Sequence, residues 1–173
     1  MAATTQVMHV PVEIYLNRSY EPDAEYVNGA IEERTMGEYD HSSWQHAIEF
    51  WFAQHAKEWG IRVRPELRIQ VATDNFRVPD VTILDRNRPI EQIVTHPPIA
   101  VFEILSPEDT LTRMMTKLGD YERMGIQTIL VIDPEGRNFR YRAGSLEPLP
   151  AEAFNLPGSA CRFDLAEIAK LLD

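Results

Sequence analysis

Two acidic residues stand inside apolar runs that otherwise read as buried strands. Glu103 lies in Ile99-Ala100-Val101-Phe102-Glu103-Ile104-Leu105, and Asp80 in Arg77-Val78-Pro79-Asp80-Val81-Thr82-Ile83-Leu84. Taking an unpaired carboxylate out of water costs several kcal/mol, so a buried one calls for a cation, a metal or a catalytic task. Two carboxylates on neighbouring strands, with the Ile104 carbonyl as a third oxygen, suit a hard divalent cation. Such a cation supports phosphodiester hydrolysis when a positive side chain neutralises the developing charge. By the two-residue strand period Val101, Glu103 and Leu105 share one face, so the position that would best supply that charge holds leucine. Lys117 is the candidate replacement: it neighbours Met114 and Tyr121 at the border of a helix's apolar face, from which a long side chain reaches the carboxylates. Its pKa would fall if the side chain were partly desolvated, which the sequence alone does not show.

The elements that must position these groups follow from pattern. Val12 to Leu16 reads as a short helix or arm, and Asn28-Gly29 as a hairpin turn. A helix is expected from Asp40, as N-cap, to Gly60, with Trp44, Ile48, Trp51, Phe52 and Trp59 as its apolar stripe. Phe50 lies off that stripe and is a candidate contact for a second copy in a homodimer. Three strands are expected at about Ile61–Arg64, Leu67–Ala72 and Phe76–Leu84, then a proline-interrupted loop, then the Glu103 strand. Ser106-Pro107-Glu108-Asp109 has the form of a helix start, with Ser106 as N-cap; that helix turns Leu111, Met114, Met115, Leu118 and Tyr121 inward and stops at Gly125. A buried strand over Ile126–Ile132, a return strand over Asn138–Arg142 and a final helix over Leu165–Leu172 complete the chain. The order predicts an α/β fold, a mixed sheet flanked by helices.

The 173 residues suffice for one domain, expected over 21–173 behind an N-terminal arm of residues 1–20. Lysine and arginine number 17 against 27 acids, a formal charge of −10, which argues against broad attraction to nucleic acid. Positive charge is nevertheless grouped, at Arg62, Arg64 and Arg68 and at Arg137, Arg140 and Arg142. Cys161 is the single cysteine, which excludes a disulfide framework and a cysteine zinc cluster and fits a cytoplasmic setting. No signal peptide and no membrane-crossing run is read, and no serine or cysteine nucleophile motif or phosphate-binding glycine loop.

Val78-Pro79-Asp80, Phe102-Glu103-Ile104-Leu105-Ser106-Pro107, the series Lys117, Tyr121 and Gly125, and Val131-Ile132-Asp133-Pro134 together resemble the Uma-two family of restriction endonucleases, within the PD-(D/E)XK nuclease superfamily. The resemblance runs from about Glu25 to Pro134. It implies a restriction-endonuclease-like sheet core, a Mg²⁺ or Mn²⁺ site at Asp80 and Glu103, a lysine displaced onto the helix at Lys117, and DNA as partner. The chain departs from the pattern at Leu105, at Arg113 (where relatives often carry an acid), and at Asn28 and Ala30.

Plainer readings stand beside these. Asp80 can be a turn residue beside Pro79, Glu103 half of an ion pair with arginine, and Lys117 a snorkelling surface cation. His41, His46 and His55 share a helix without zinc-pair spacing; His41 and His55 read as core-edge residues, His41 being raised slightly by the resemblance. Glu32, Glu33 and Glu38 read as a solvated hairpin. Two functions follow: a metal-dependent DNA endonuclease, or a catalytically degenerate nuclease-like fold that binds nucleic acid or protein. Hydrolysis of a smaller phosphate ester is a distant third.

Overall fold

The structure, a computed structural model, describes residues 9–35 and 37–172; the first eight residues of the expected arm lie outside that range. A short helix α1 (Val12–Leu16) precedes the hairpin of β1 (Ala24–Val27) and β2 (Ala30–Glu33), whose turn places Asn28 at φ 50 and Gly29 at φ 84. Both residues of that turn need positive φ, and Asn-Gly is the pair that accepts it at least strain. The long helix α2 (Tyr39–Trp59) follows and ends on left-handed Gly60 at φ 64. Its N-cap is Glu38, without a side-chain cap, rather than the expected Asp40.

Next come β3 (Ile61–Pro65), β4 (Ile69–Ala72), β5 (Asn75–Arg77) and β6 (Val81–Asp85). The single strand expected over Phe76–Leu84 is therefore two. Val78-Pro79-Asp80 breaks it, because a proline ring removes a ladder donor, and the halves enter different sheets. The fully buried β7 (Ala100–Ile104) leads to α3 (Leu111–Met124) and then to β8 (Thr128–Ile132), which is parallel to β7. The return hairpin is β9 (Phe139–Arg142) and β10 (Ser145–Pro148), and β11 (Phe154–Asn155), β12 (Arg162–Phe163) and α4 (Leu165–Ala169) close the chain.

Six strands form the main sheet in the order β10-β9-β8-β7-β6-β3, antiparallel except at β7-β8; a smaller antiparallel sheet runs β2-β1-β5-β4. The period of two divides the main sheet between two cores. Val81, Ile83, Phe102, Ile104, Leu130 and Ile132 meet α2 and α4 on one face. Val101, Ile129 and Val131 meet Met114, Leu118 and Tyr121 of α3 on the other. Glu103, in phase with Val101, is thus delivered to the α3 side.

The helix start expected at Ser106 is a turn instead: Asp109 accepts from the Ser106 N–H at 2.7 Å, and α3 begins after Thr110, whose hydroxyl accepts from the Arg113 N–H. Leu111 falls in that first turn and stands 69% exposed, contrary to its expected inward place. Tyr15 of α1 is buried against Tyr26 and Phe76, so residues 12–16 pack onto the small sheet. Among the described residues no helix is long and apolar enough to cross a membrane.

Candidate active site

Where β6 and β7 diverge, the register that pairs Val81 with Phe102 puts Asp80 across from Glu103, one step beyond the ladder. Opposed residues of an antiparallel pair face the same way, their Cβ atoms about 4.5–5.5 Å apart. Asp80 lies just before β6, its carbonyl accepting from the Glu66 N–H at 3.3 Å, and its carboxylate is turned into the cleft. Oδ2 accepts from the Ile104 N–H at 2.7 Å and lies 3.3 Å from His41 Nε2; Oδ1 accepts from Arg34 Nη2 at 2.5 Å. Burial works against this charge, but the His41 bond and the charges of Lys117 and Arg34 hold the carboxyl below its ordinary value. His41 is raised in turn, Asp80 outweighing the effect of burial.

Glu103 is bound from α3 by two residues four apart, which fall on one helix face. Lys117 Nζ donates to Oε2 at 2.8 Å and the Tyr121 hydroxyl to Oε1 at 2.6 Å. Burial, opposed by Lys117 and reinforced by the like charges of Asp80 and Glu25, pushes the Glu103 carboxyl up to about 7. Lys117 is itself buried, with its remaining protons on the Val78 carbonyl at 3.2 Å and Glu25 Oε1 at 2.9 Å. Desolvation disfavours its charge, yet Glu103, Glu25 and Asp80 hold the ammonium above the ordinary lysine value, the reverse of the drop expected from desolvation alone.

Behind Lys117 runs a second layer. Glu25 of β1 accepts from Arg77 at 2.9 Å and from the Val78 N–H at 3.0 Å, and Arg77 also holds Asp120 of α3 at 2.7 Å. Arg77 is only 1% exposed, so this ladder is satisfied entirely within the protein. Lys117 and Arg77 together keep Glu25 ionised despite burial.

These groups line a cavity of about 50 Å³ bordered by Glu25, Arg34, His41, Asp80, Glu103 and Lys117. Asp80, Glu103, Ile104 and Lys117 all lie at this one place. Glu103 pairs with a lysine rather than the arginine of the plainer reading, and Lys117 is buried rather than at the helix border. Glu25, Arg34, His41 and Tyr121 are the site residues that sequence reasoning left outside its catalytic set. The two arginine clusters do not line the cavity: Arg62 is spent on the Asp85 and Arg88 carbonyls, Arg68 covers Tyr15, and Arg140 covers Phe154.

The donors suit a hard cation. Asp80 and Glu103 offer carboxylate oxygens, and the Ile104 N–H turned to Asp80 brings that residue's carbonyl to the same strand edge. Among the described residues no group of three or more His, Cys, Asp or Glu side chains is arranged to hold a metal. That is no obstacle for Mg²⁺ or Mn²⁺, because Mg²⁺ keeps several waters and commonly uses only one or two carboxylates.

The mixed sheet with helices on both faces is a restriction-endonuclease-like core, and Asp80, Glu103 and Lys117 lie together at its diverging strands. The sequence profile of the Uma2 family, described as "Putative restriction endonuclease", matches residues 12–154, and the chain belongs to that family. In structure it is similar to a putative nuclease belonging to DUF820 from Anabaena variabilis ATCC 29413, with a TM-score of 0.79 and 24% identity over 94% of this chain and 98% of the other. A more distant likeness, to the DrdV-DNA complex, has a TM-score of 0.41 and 17% identity over 73% of this chain and 10% of the other. No curated protein matches.

Proposed function

We propose that this protein is a divalent-cation-dependent DNA endonuclease in which Asp80, Glu103 and the Ile104 carbonyl hold Mg²⁺ or Mn²⁺. The observation that carries this reading is the meeting of Lys117 with Glu103 at 2.8 Å in the cleft that Asp80 also lines. When bound, such a cation polarises the scissile phosphate and lowers the pKa of a water. Lys117, held charged, stabilises negative charge on the phosphate and leaves proton removal to another group. Arg34, on Asp80 Oδ1, adds a second fixed positive charge at the cleft and orients the carboxylate. Support for DNA as substrate comes from the family's description. A cytoplasmic location and a homodimer through α2, where Phe50 is 49% exposed, belong to the same reading.

Plasmid cleavage with Mg²⁺ or Mn²⁺ tests it, comparing the wild type with Asp80→Ala and Glu103→Ala. Cleavage only by the wild type is expected; equal cleavage by all three removes the site from consideration. A second reading, a nuclease-like fold that binds without cleaving, is favoured by one specific feature. Asp80 and Glu103 already have protein cations, and exposed acids at Glu38, Asp40, Glu66 and Glu108 flank the cleft residues. DNA binding retained by the wild type in the absence of any cleavage, with Mg²⁺ or Mn²⁺ present, would select it.

A further inference from the structure

The two oxygens of Glu103 are held by unlike partners. Tyr121 is fully buried in the α3 core and does not border the cavity, whereas Lys117 does. Oε1 is therefore tied toward the core and Oε2 turned toward the cleft. The partners also differ in what they lose on release. Lys117 retains Glu25 and the Val78 carbonyl if it gives up Glu103. The Tyr121 hydroxyl has Glu103 as its sole acceptor among the described residues, so release would orphan a buried donor. Oε2 is the exchangeable oxygen and Oε1 the fixed one.

We infer that Tyr121 is a specificity-determining positioning residue, which confines Glu103 to single-oxygen ligation through Oε2 and so disfavours Ca²⁺ against Mg²⁺ or Mn²⁺. Ca²⁺ takes six to eight oxygens at loose geometry and gains from two-oxygen carboxylate binding, while Mg²⁺ demands a compact octahedron. A cation straddling both Glu103 oxygens would compete with the short Tyr121 bond for Oε1. The inference rests on the proposed metal centre, and its test separates the two.

The measurement is calorimetric titration of the full chain with Mn²⁺ and, separately, Ca²⁺, for the wild type and Tyr121→Phe, a change that removes only the hydroxyl. The wild type is expected to bind Mn²⁺ the more tightly, and the variant's Mn²⁺-over-Ca²⁺ preference to fall by about tenfold, the scale of losing an outer-shell partner. An unchanged preference in a variant that still binds Mn²⁺ overturns the role of Tyr121 and leaves the metal centre standing. No Mn²⁺ binding by the wild type overturns the centre itself. Should Tyr121→Phe fail to fold, the infrared difference spectrum on Mn²⁺ addition decides, taken on wild type carrying ¹³C-labelled glutamate so that the Glu103 bands separate from those of Asp80. A wide separation of the carboxylate stretches, the sign of single-oxygen ligation, supports the inference, and a narrow one refutes it.

Discussion

Replacing Lys117 by methionine keeps the length of the side chain and deletes a buried charge that serves three acceptors. Removing one partner of a buried pair destabilises by about 3–5 kcal/mol, because the other charge is left without compensation. Here the loss depends on pH, since Glu103 can take up a proton. Its carboxyl is raised to about 7 in the intact protein, so its contribution to stability is full below the ordinary glutamate value and fades as pH rises through about 7. Without Lys117, the strongest cationic influence pulling this carboxyl down, the folded-state pKa climbs further. Above about 7 the wild type no longer loses stability through this group, while the variant continues to lose about 1.4 kcal/mol per pH unit. Between about pH 7 and pH 8.5 the gap between the two proteins therefore widens by up to about 2 kcal/mol. Urea denaturation at pH 6, 7 and about 8.5 with a chelator present measures it, under the same linkage relation. A gap that is constant across that range refutes a charge-paired Glu103.

The ladder behind the site gives a second outcome: Arg77→Met leaves Glu25 and Asp120 buried without their shared cation and costs about 3–5 kcal/mol in the same denaturation assay. Asp80→Asn removes the carboxylate that raises His41, so an NMR titration is expected to show the His41 pKa dropping toward the ordinary histidine value. The wild-type stability curve is expected to fall on the acid side, as Asp80 and Glu25, whose folded values are depressed, take up protons. It is expected to fall again between about 4.5 and about 7 as the raised Glu103 is ionised, which denaturation midpoints over pH will show.

Much of the site was legible because burial makes a lone acid conspicuous. Glu103 and Asp80 stand out in Val/Ile-rich runs, and the α3 spacing of Lys117 and Tyr121 follows from helical period. The hairpin at Asn28-Gly29 and the helix stops at Gly60 and Gly125 were legible for a related reason: each of these glycines sits at positive φ, where other residues are strained. What escaped was long-range. Glu25 is 78 residues from Glu103 in sequence, and nothing near it shows that β1 will pair with β5 and bring it to Lys117. Arg34 follows a hairpin that reads as solvated, yet it folds back onto Asp80. The sense of the Lys117 shift was not legible, because local pattern exposes desolvation while the three carboxylates that outweigh it come from three separate segments. Ser106 misled for a local reason: Asp109 caps its N–H as a turn, and the helix waits for Thr110.

The proposed function requires that Asp80 and Glu103 jointly hold one divalent cation. Calorimetric titration with Mn²⁺ at about pH 8, where Glu103 is largely ionised, tests it in the wild type, Asp80→Asn and Glu103→Gln. One site is expected in the wild type, with affinity reduced by at least about tenfold in each variant, the scale of losing even an outer-shell partner. Wild-type affinity retained in both variants, or no binding by the wild type at millimolar Mn²⁺, would contradict it.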